Sequence, residues 1–183
     1  LVGLRDPQGF RPLCLGKTEH GYVLSSESCA FDAIKAEFIR DIDPGEMVII
    51  DDRGVRSTIY AEPQKIDKKL CVFEYIYFAR SDSKIDGQSV YETRLNMGRE
   101  LYNETKYDAD IVMSIPDSGT TAALGYARAS GIPFAEGLIK NRYSGRTFIK
   151  PNQEERELAV RMKLNAMPEV VGGKRIVLID DSI

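Results

Sequence analysis

The sequence predicts an α/β protein in two parts: an antiparallel sheet with one helix over about the first 65 residues, then a parallel sheet covered by helices. Three observations predict it. Short β-type runs separated by turn residues fill the first part. Helical periodicity alternates with apolar runs in the second. The last of those runs, Arg175–Ile179, is unbroken, as strands buried on both faces of a parallel sheet are.

In chain order, Leu1–Leu4 reads as the middle of a strand, and Pro12–Leu15 and Tyr22–Leu24 as two further short strands. Phe31, Ile34, Phe38 and Ile42 sit at helical spacing and predict a helix. Glu46–Ile50 follows a Pro44-Gly45 turn, and Asp52-Arg53-Gly54 turns the chain into Val55–Tyr60, which predicts a hairpin. Beyond residue 66, Ser89 and Glu92 form a capping-box pattern ahead of a helix marked by Tyr91, Leu95, Leu101 and Tyr102. Ile111–Ile115 is an apolar strand, and Thr120–Ser130 an Ala-rich helix stopped by Gly131 and Pro133. Phe134–Ile139 is the next strand candidate, Glu154–Met167 a helix, and Arg175–Ile179 the final strand. Strand, helix, strand, helix, strand in that order is the pattern of a parallel sheet.

Composition excludes several classes. The 183 residues are 43% hydrophobic and 29% charged, as in an ordinary globular chain. A net charge of -3 gives no basic excess for nucleic acid. No apolar run approaches the roughly 18 residues of a membrane span. Cys14, Cys29 and Cys71 are odd in number and form no CxxC pair, which argues against a self-contained disulfide or zinc framework and for reduced thiols in a cytoplasmic protein.

Three segments carry chemistry. Val177–Ile179 delivers two adjacent carboxylates, Asp180 and Asp181, to the C-terminal end of a strand. Ligands bind at that end in open α/β sheets, and paired acids there suit ribose hydroxyls and a divalent cation. The bland alternative is that Asp180 caps a turn. Pro116-Asp117-Ser118-Gly119-Thr120 also lies between a strand and a helix, where small residues let backbone approach a phosphate. A plain capped turn is the competing reading. Lys140-Asn141-Arg142-Tyr143-Ser144-Gly145-Arg146 holds three cations in seven residues. It is either a closing lid over a polyanion or a solvated basic loop.

Several of these segments together resemble the glutamine phosphoribosylpyrophosphate amidotransferase family. Val177–Ile183 resembles the start of the type I phosphoribosyltransferase signature, Ile115–Gly119 the family's pyrophosphate loop, and Lys140–Tyr143 with Gly145–Ile149 its flexible loop. Phe73–Arg80 resembles a marker at the domain junction. Arg5-Asp6-Pro7 with Gly9, Arg11 and Pro12, and Ser26-Glu27, resemble the end of an N-terminal-nucleophile glutaminase domain. The resemblance implies residues 1–65 as the C-terminal part of that αββα domain and residues 66–183 as a phosphoribosyltransferase domain, truncated at its C-terminal end.

What the resemblance implies about chemistry follows. Ammonia released from L-glutamine attacks C1 of phosphoribosyl pyrophosphate, pyrophosphate leaves with Mg²⁺, and 5-phosphoribosylamine enters purine biosynthesis. Lys140, Tyr143 and Lys163 fall on positions that engage substrate, and Asp117, Ser118, Gly119, Asp180 and Asp181 on substrate-binding ones. Ser118, Asp180 and Asp181 fall on Mg²⁺-associated positions. Cys71 falls where one branch of the family ligates a [4Fe–4S] cluster, the alternative being a buried structural thiol. Purine nucleotides as feedback inhibitors and a homo-oligomer are implied as well. The glutaminase nucleophile would precede Leu1 and the 5-phosphate loop would follow Ile183, so this stretch alone is expected to be inactive. A salvage-type phosphoribosyltransferase conflicts with the glutaminase-like first part, and a regulator that senses phosphoribosyl pyrophosphate would need a DNA-binding module not visible here.

Overall fold

The computed structural model describes residues 1–141 and 162–181. It divides into two compact units, Leu1–Thr93 and Arg94–Ile183.

The first unit begins with β1 (Val2–Leu4), β2 (Cys14–Thr18) and β3 (Gly21–Ser25), then α1 (Cys29–Ile34) and β4 (Glu37–Asp41). The hairpin β5 (Glu46–Asp51) and β6 (Gly54–Ile59) follows. Two antiparallel sheets result, β1-β5-β6 and β3-β2-β4. Leu15, Ile42 and Val48 bury themselves between these strands, with Leu24, Ile50 and Val55 packed on them. The helix predicted over Phe31–Ile42 stops at Ile34, because Lys35 turns left-handed (φ 54°) and the next residues pair with β2. Phe38 thus lies on a strand. A π-helical turn, Glu74–Phe78, precedes the small hairpin β7 (Lys84–Ile85) and β8 (Gln88–Ser89), whose Asp86-Gly87 corner has both φ values positive (48° and 78°). That is the geometry of a two-residue hairpin turn.

The unit boundary falls within α2 (Val90–Thr105), so residues 66–93, which the sequence reading assigns to the second domain, pack with the first unit. Hydrogen bonds explain it. Backbone N–H groups of Lys69 and Cys71 donate to Gln8 and Phe10 carbonyls, and Ser83 Oγ donates to Glu27. The Ser89 hydroxyl accepts from the Glu92 N–H at 3.3 Å, as its capping pattern predicts.

The second unit continues with β9 (Ile111–Ser114), α3 (Thr120–Ser130), β10 (Leu138–Lys140), β11 (Leu164–Ala166), α4 (Pro168–Val171) and β12 (Ile176–Ile179). β9 and β12 run parallel in the register Ile111 to Ile176 and Ser114 to Ile179. Phe134 adds a single parallel bridge on the other side of β9, at Val112. Val112, Ala123, Tyr126, Val177 and Ile179 form the core between sheet and α3. β12 is less enclosed than its unbroken apolar run predicts: Ile176 and Leu178 face outward, and Leu178 is 51% exposed.

The strand expected over Phe134–Ile139 is split. Its middle leaves the sheet at Gly137, which lies so close to Met113 that a Cβ would stand 2.5 Å from the thioether. β10 then pairs antiparallel with β11 rather than with the parallel strands. Of the helix expected over Glu154–Met167, residues 154–161 lie outside the described residues, and Leu164–Ala166 are strand.

α2 and α3 cross with their backbones touching. A Cβ on Gly98 would stand 1.8 Å from the Ala122 carbonyl oxygen, and one on Gly125 2.0 Å from the Leu95 oxygen. Beside this crossing Tyr102 packs edge-on against Tyr126, while Leu101, predicted to face the core, is exposed. The glycines, not a leucine ridge, set the approach.

Candidate phosphate and metal site

The site is built where the parallel strands end. Ser114 closes β9 and its hydroxyl lies 3.1 Å from that of Thr120, the first residue of α3. Between them Pro116–Gly119 forms a turn that brings the start of α3 back to the sheet: the Gly119 N–H donates to the Ile115 carbonyl and the Thr120 N–H to that of Asp117. No side chain caps α3.

Gly119 has ordinary helical torsions (φ −70°), so its need for glycine is one of space. A Cβ there would stand 2.8 Å from the Ile179 carbonyl oxygen and 3.4 Å from the Asp180 Cα. The loop carrying Asp117, Ser118 and Gly119 is thereby seated against the strand end carrying Asp180 and Asp181. The Ile115 N–H donates to the Ile179 carbonyl at 2.9 Å and completes the junction. Asp180 Oδ1 accepts the Asp181 N–H at 2.8 Å, so part of its carboxylate serves the local turn, as the bland reading expects, and part faces solvent.

Across from the loop, β10 presents Lys140, whose ammonium pairs with the Asp117 carboxylate at 2.5 Å. Both line a cavity of about 420 Å³ walled by Ser114, Pro116, Thr120, Phe134 and Leu138. Lys163 stands at the foot of the β10–β11 ribbon, its carbonyl accepting the Asn141 N–H at 2.7 Å, one pair beyond Lys140 and Leu164. Tyr143 and the rest of the predicted lid lie outside the described residues. Ser114 and Glu136 line the cavity and were not singled out from sequence. Ser114 could have been: it is a polar residue at the C-terminal end of an apolar strand.

The chemistry this end of the sheet offers is hard oxygen donors beside a cation and a glycine-bearing loop. Two carboxylates and the Ser118 hydroxyl suit Mg²⁺, which takes oxygen ligands and keeps several waters. Among the described residues no group of three or more His, Cys, Asp or Glu side chains comes together, so any cation here is held partly by water or ligand.

The segments of the first unit that carry the family resemblance serve its internal structure. Arg5 is buried, and its guanidinium donates to the carbonyls of Gly9, Arg11 and Ile42 and to both oxygens of Asp86. Arg11 pairs with buried Glu74 and lies 4.6 Å over the Phe78 ring. Glu27 accepts from the Arg80 N–H and the Ser83 hydroxyl, both at 2.8 Å. Cys14 and Cys29 are buried and Cys71 half-buried. Burial, with Asp41 adding to it, pushes the Cys14 thiol up to about 12.

Parallel strand ends that place a glycine-seated loop against paired acids are the place where open α/β sheets bind ligands, and this unit follows an antiparallel one of a different kind. No model of a known protein family matches the chain. Its relatives are specific. The amidophosphoribosyltransferase of Archaeoglobus fulgidus is 55% identical over 183 residues, covering 100% of this chain and 40% of that protein. That of Synechococcus elongatus is 56% identical over 188 residues, covering 100% and 38%. The solved glutamine phosphoribosylpyrophosphate amidotransferase of B. subtilis, complexed with ADP and GMP, superimposes with a TM-score of 0.90 at 50% identity, over 100% of this chain and 40% of that one. By sequence and by fold the chain is similar to the amidophosphoribosyltransferases, and it spans about two-fifths of their length.

Proposed function

We propose that this chain is part of an amidophosphoribosyltransferase, in which ammonia from L-glutamine displaces pyrophosphate from phosphoribosyl pyrophosphate to give 5-phosphoribosylamine, the first committed step of purine biosynthesis. The observation that carries this reading is the seating of the Asp117–Gly119 loop against Asp180 at the ends of β9 and β12, with Lys140 opposite. Identity of 50–56% to proteins of that name supports it.

In this reading the ammonia lone pair forms the new bond at C1 as the C1–O bond to pyrophosphate breaks, and the ammonium product loses a proton. Negative charge accumulates on the leaving oxygens. Lys140 is assigned to meet that charge, which its place on the wall of the cavity supports, and the loop backbone before α3 to orient the phosphates. Lys163 and Tyr143 are assigned to the same task. Asp180 and Asp181 would hold the ribose hydroxyls and, with Ser118, would hold Mg²⁺. When bound, Mg²⁺ neutralises charge on the departing pyrophosphate.

Cys71 is proposed as one thiolate of a [4Fe–4S] cluster. Iron and sulfide content of the whole protein decides between that and a structural thiol. Purine nucleotides as feedback ligands, a homo-oligomer and a cytoplasmic location belong to the same proposal. Cys14 and Cys29 as free thiols support the last, and among the described residues no helix is long and apolar enough to cross a membrane.

The experiment is Asp181→Ala in the complete enzyme. Ammonia-dependent phosphoribosylamine synthesis should be lost, while glutamine hydrolysis, measured separately, survives at least in part. Near-normal synthesis would sink the assignment of the diacid.

A further inference from the structure

We propose that the Asp117 side chain is a resident counter-ion for Lys140, one that an anionic oxygen of the incoming pyrophosphate group must displace. The inference rests on the phosphoribosyl pyrophosphate reading above.

Lys140 ends β10 and Asp117 lies in the turn between β9 and α3, so the pair joins two separate elements across one cavity. The partners are unequal. The Asp117 side chain is 79% exposed and that of Lys140 34%. The carboxylate is therefore a solvated group reaching onto a more enclosed ammonium, and it can return to water at little cost. An acid in a loop that receives a polyanion repels that ligand unless its charge is matched. Here the match is the same ammonium that the ligand needs. The loop has other means of receiving phosphate, its backbone and the start of α3, so the Asp117 carboxylate is not required as a ligand.

The exchange is one of partners only: Lys140 keeps its charge, a phosphate oxygen takes the place of Asp117 Oδ2, and the carboxylate rehydrates. Because the pair is exposed it is weak, in the range of roughly 0.4–1 kcal/mol. It therefore tunes affinity and does not forbid binding.

The test is calorimetric titration of the complete enzyme with Mg²⁺-pyrophosphate at low salt. Asp117→Asn should bind about two- to fivefold tighter than wild type, the factor that corresponds to such a pair. The KM for phosphoribosyl pyrophosphate should fall in step, with kcat not raised. Asp117→Glu, which keeps the charge, should stay within about twofold of wild type. In a Lys140→Met background the gain from Asp117→Asn should shrink to less than half, since no ammonium is left to free. Equal or weaker binding by Asp117→Asn overturns the inference, because the carboxylate is then idle or a true ligand. A gain that persists undiminished in Lys140→Met also overturns it, because general repulsion then accounts for the effect. If wild type binds no Mg²⁺-pyrophosphate, the functional reading falls and takes this inference with it, whereas binding without the predicted gain leaves the functional reading standing.

Discussion

Glu46 shows how single residues of the first unit carry its stability. It is buried, with Arg40 donating to both carboxylate oxygens at 2.6 and 2.8 Å and the Asp43 N–H donating at 2.8 Å. The Arg40 hydrogen bonds hold its pKa below the usual 4.5, against the upward push of burial. A depressed carboxylate contributes stability that is full above the unfolded value and lost as pH falls through the folded one. The contribution of Glu46 should thus be complete above about pH 5 and fade below 4.5. Glu46→Gln should lower the melting temperature at pH 7, and the gap to wild type should narrow as pH drops below 4.5, read by thermal unfolding across pH. A gap independent of pH would contradict this account. Glu46 was not legible as a special residue, because its role depends on Arg40 lying beside it on another strand. Asp117–Gly119 and Asp180–Asp181 were legible as candidates, since each follows an apolar run and so must sit at a strand end. The ion pair between Lys140 and Asp117 was not, since it depends on where β10 leaves the parallel sheet.

At the scale of elements, the α2–α3 crossing yields a prediction whose sign runs against intrinsic propensity. In an exposed helix Gly→Ala gains about 1 kcal/mol. At Gly98 the new Cβ would stand 1.8 Å from a carbonyl oxygen, so the helices must separate. Gly98→Ala should cost about 2–4 kcal/mol, measured by denaturant unfolding of the complete protein. Gly125→Ala should act in the same direction, and the double variant should cost less than the sum, because one separation relieves both overlaps. A stabilised Gly98→Ala protein would refute the contact. The elements legible in sequence were those with both a pattern and a stop: α3 lies where its Ala-rich run and Gly131 put it, and β5–β6 where its turn put it. α1 was overextended because Phe38 and Ile42 continue a spacing of three to four that the left-handed Lys35 interrupts. β11 carries no strand signal in the sequence because three residues are too few to show a period of two.

On the scale of the whole molecule, the sequence reading found two parts of different character, and the structure has two compact units. The compact units divide at Thr93/Arg94 rather than at the composition change near residue 65, since packing follows the hydrogen bonds that tie residues 66–93 to Gln8, Phe10 and Glu27. β10 and β11 form an antiparallel ribbon. Its register sets Asn141 directly opposite Lys163, so the span between them leaves and re-enters at one point. Doubling the length of a loop closed in this way adds only about 0.6 kcal/mol of closure cost. An Asn-Gly turn spliced in place of residues 142–162 would preserve the register, with Lys140 opposite Leu164 and Asn141 opposite Lys163. If the proposed function holds, the complete enzyme shortened in this way should melt within a few degrees of its parent and yet make no phosphoribosylamine, a divorce of durability from catalysis that melting curves and an ammonia-dependent assay would register together.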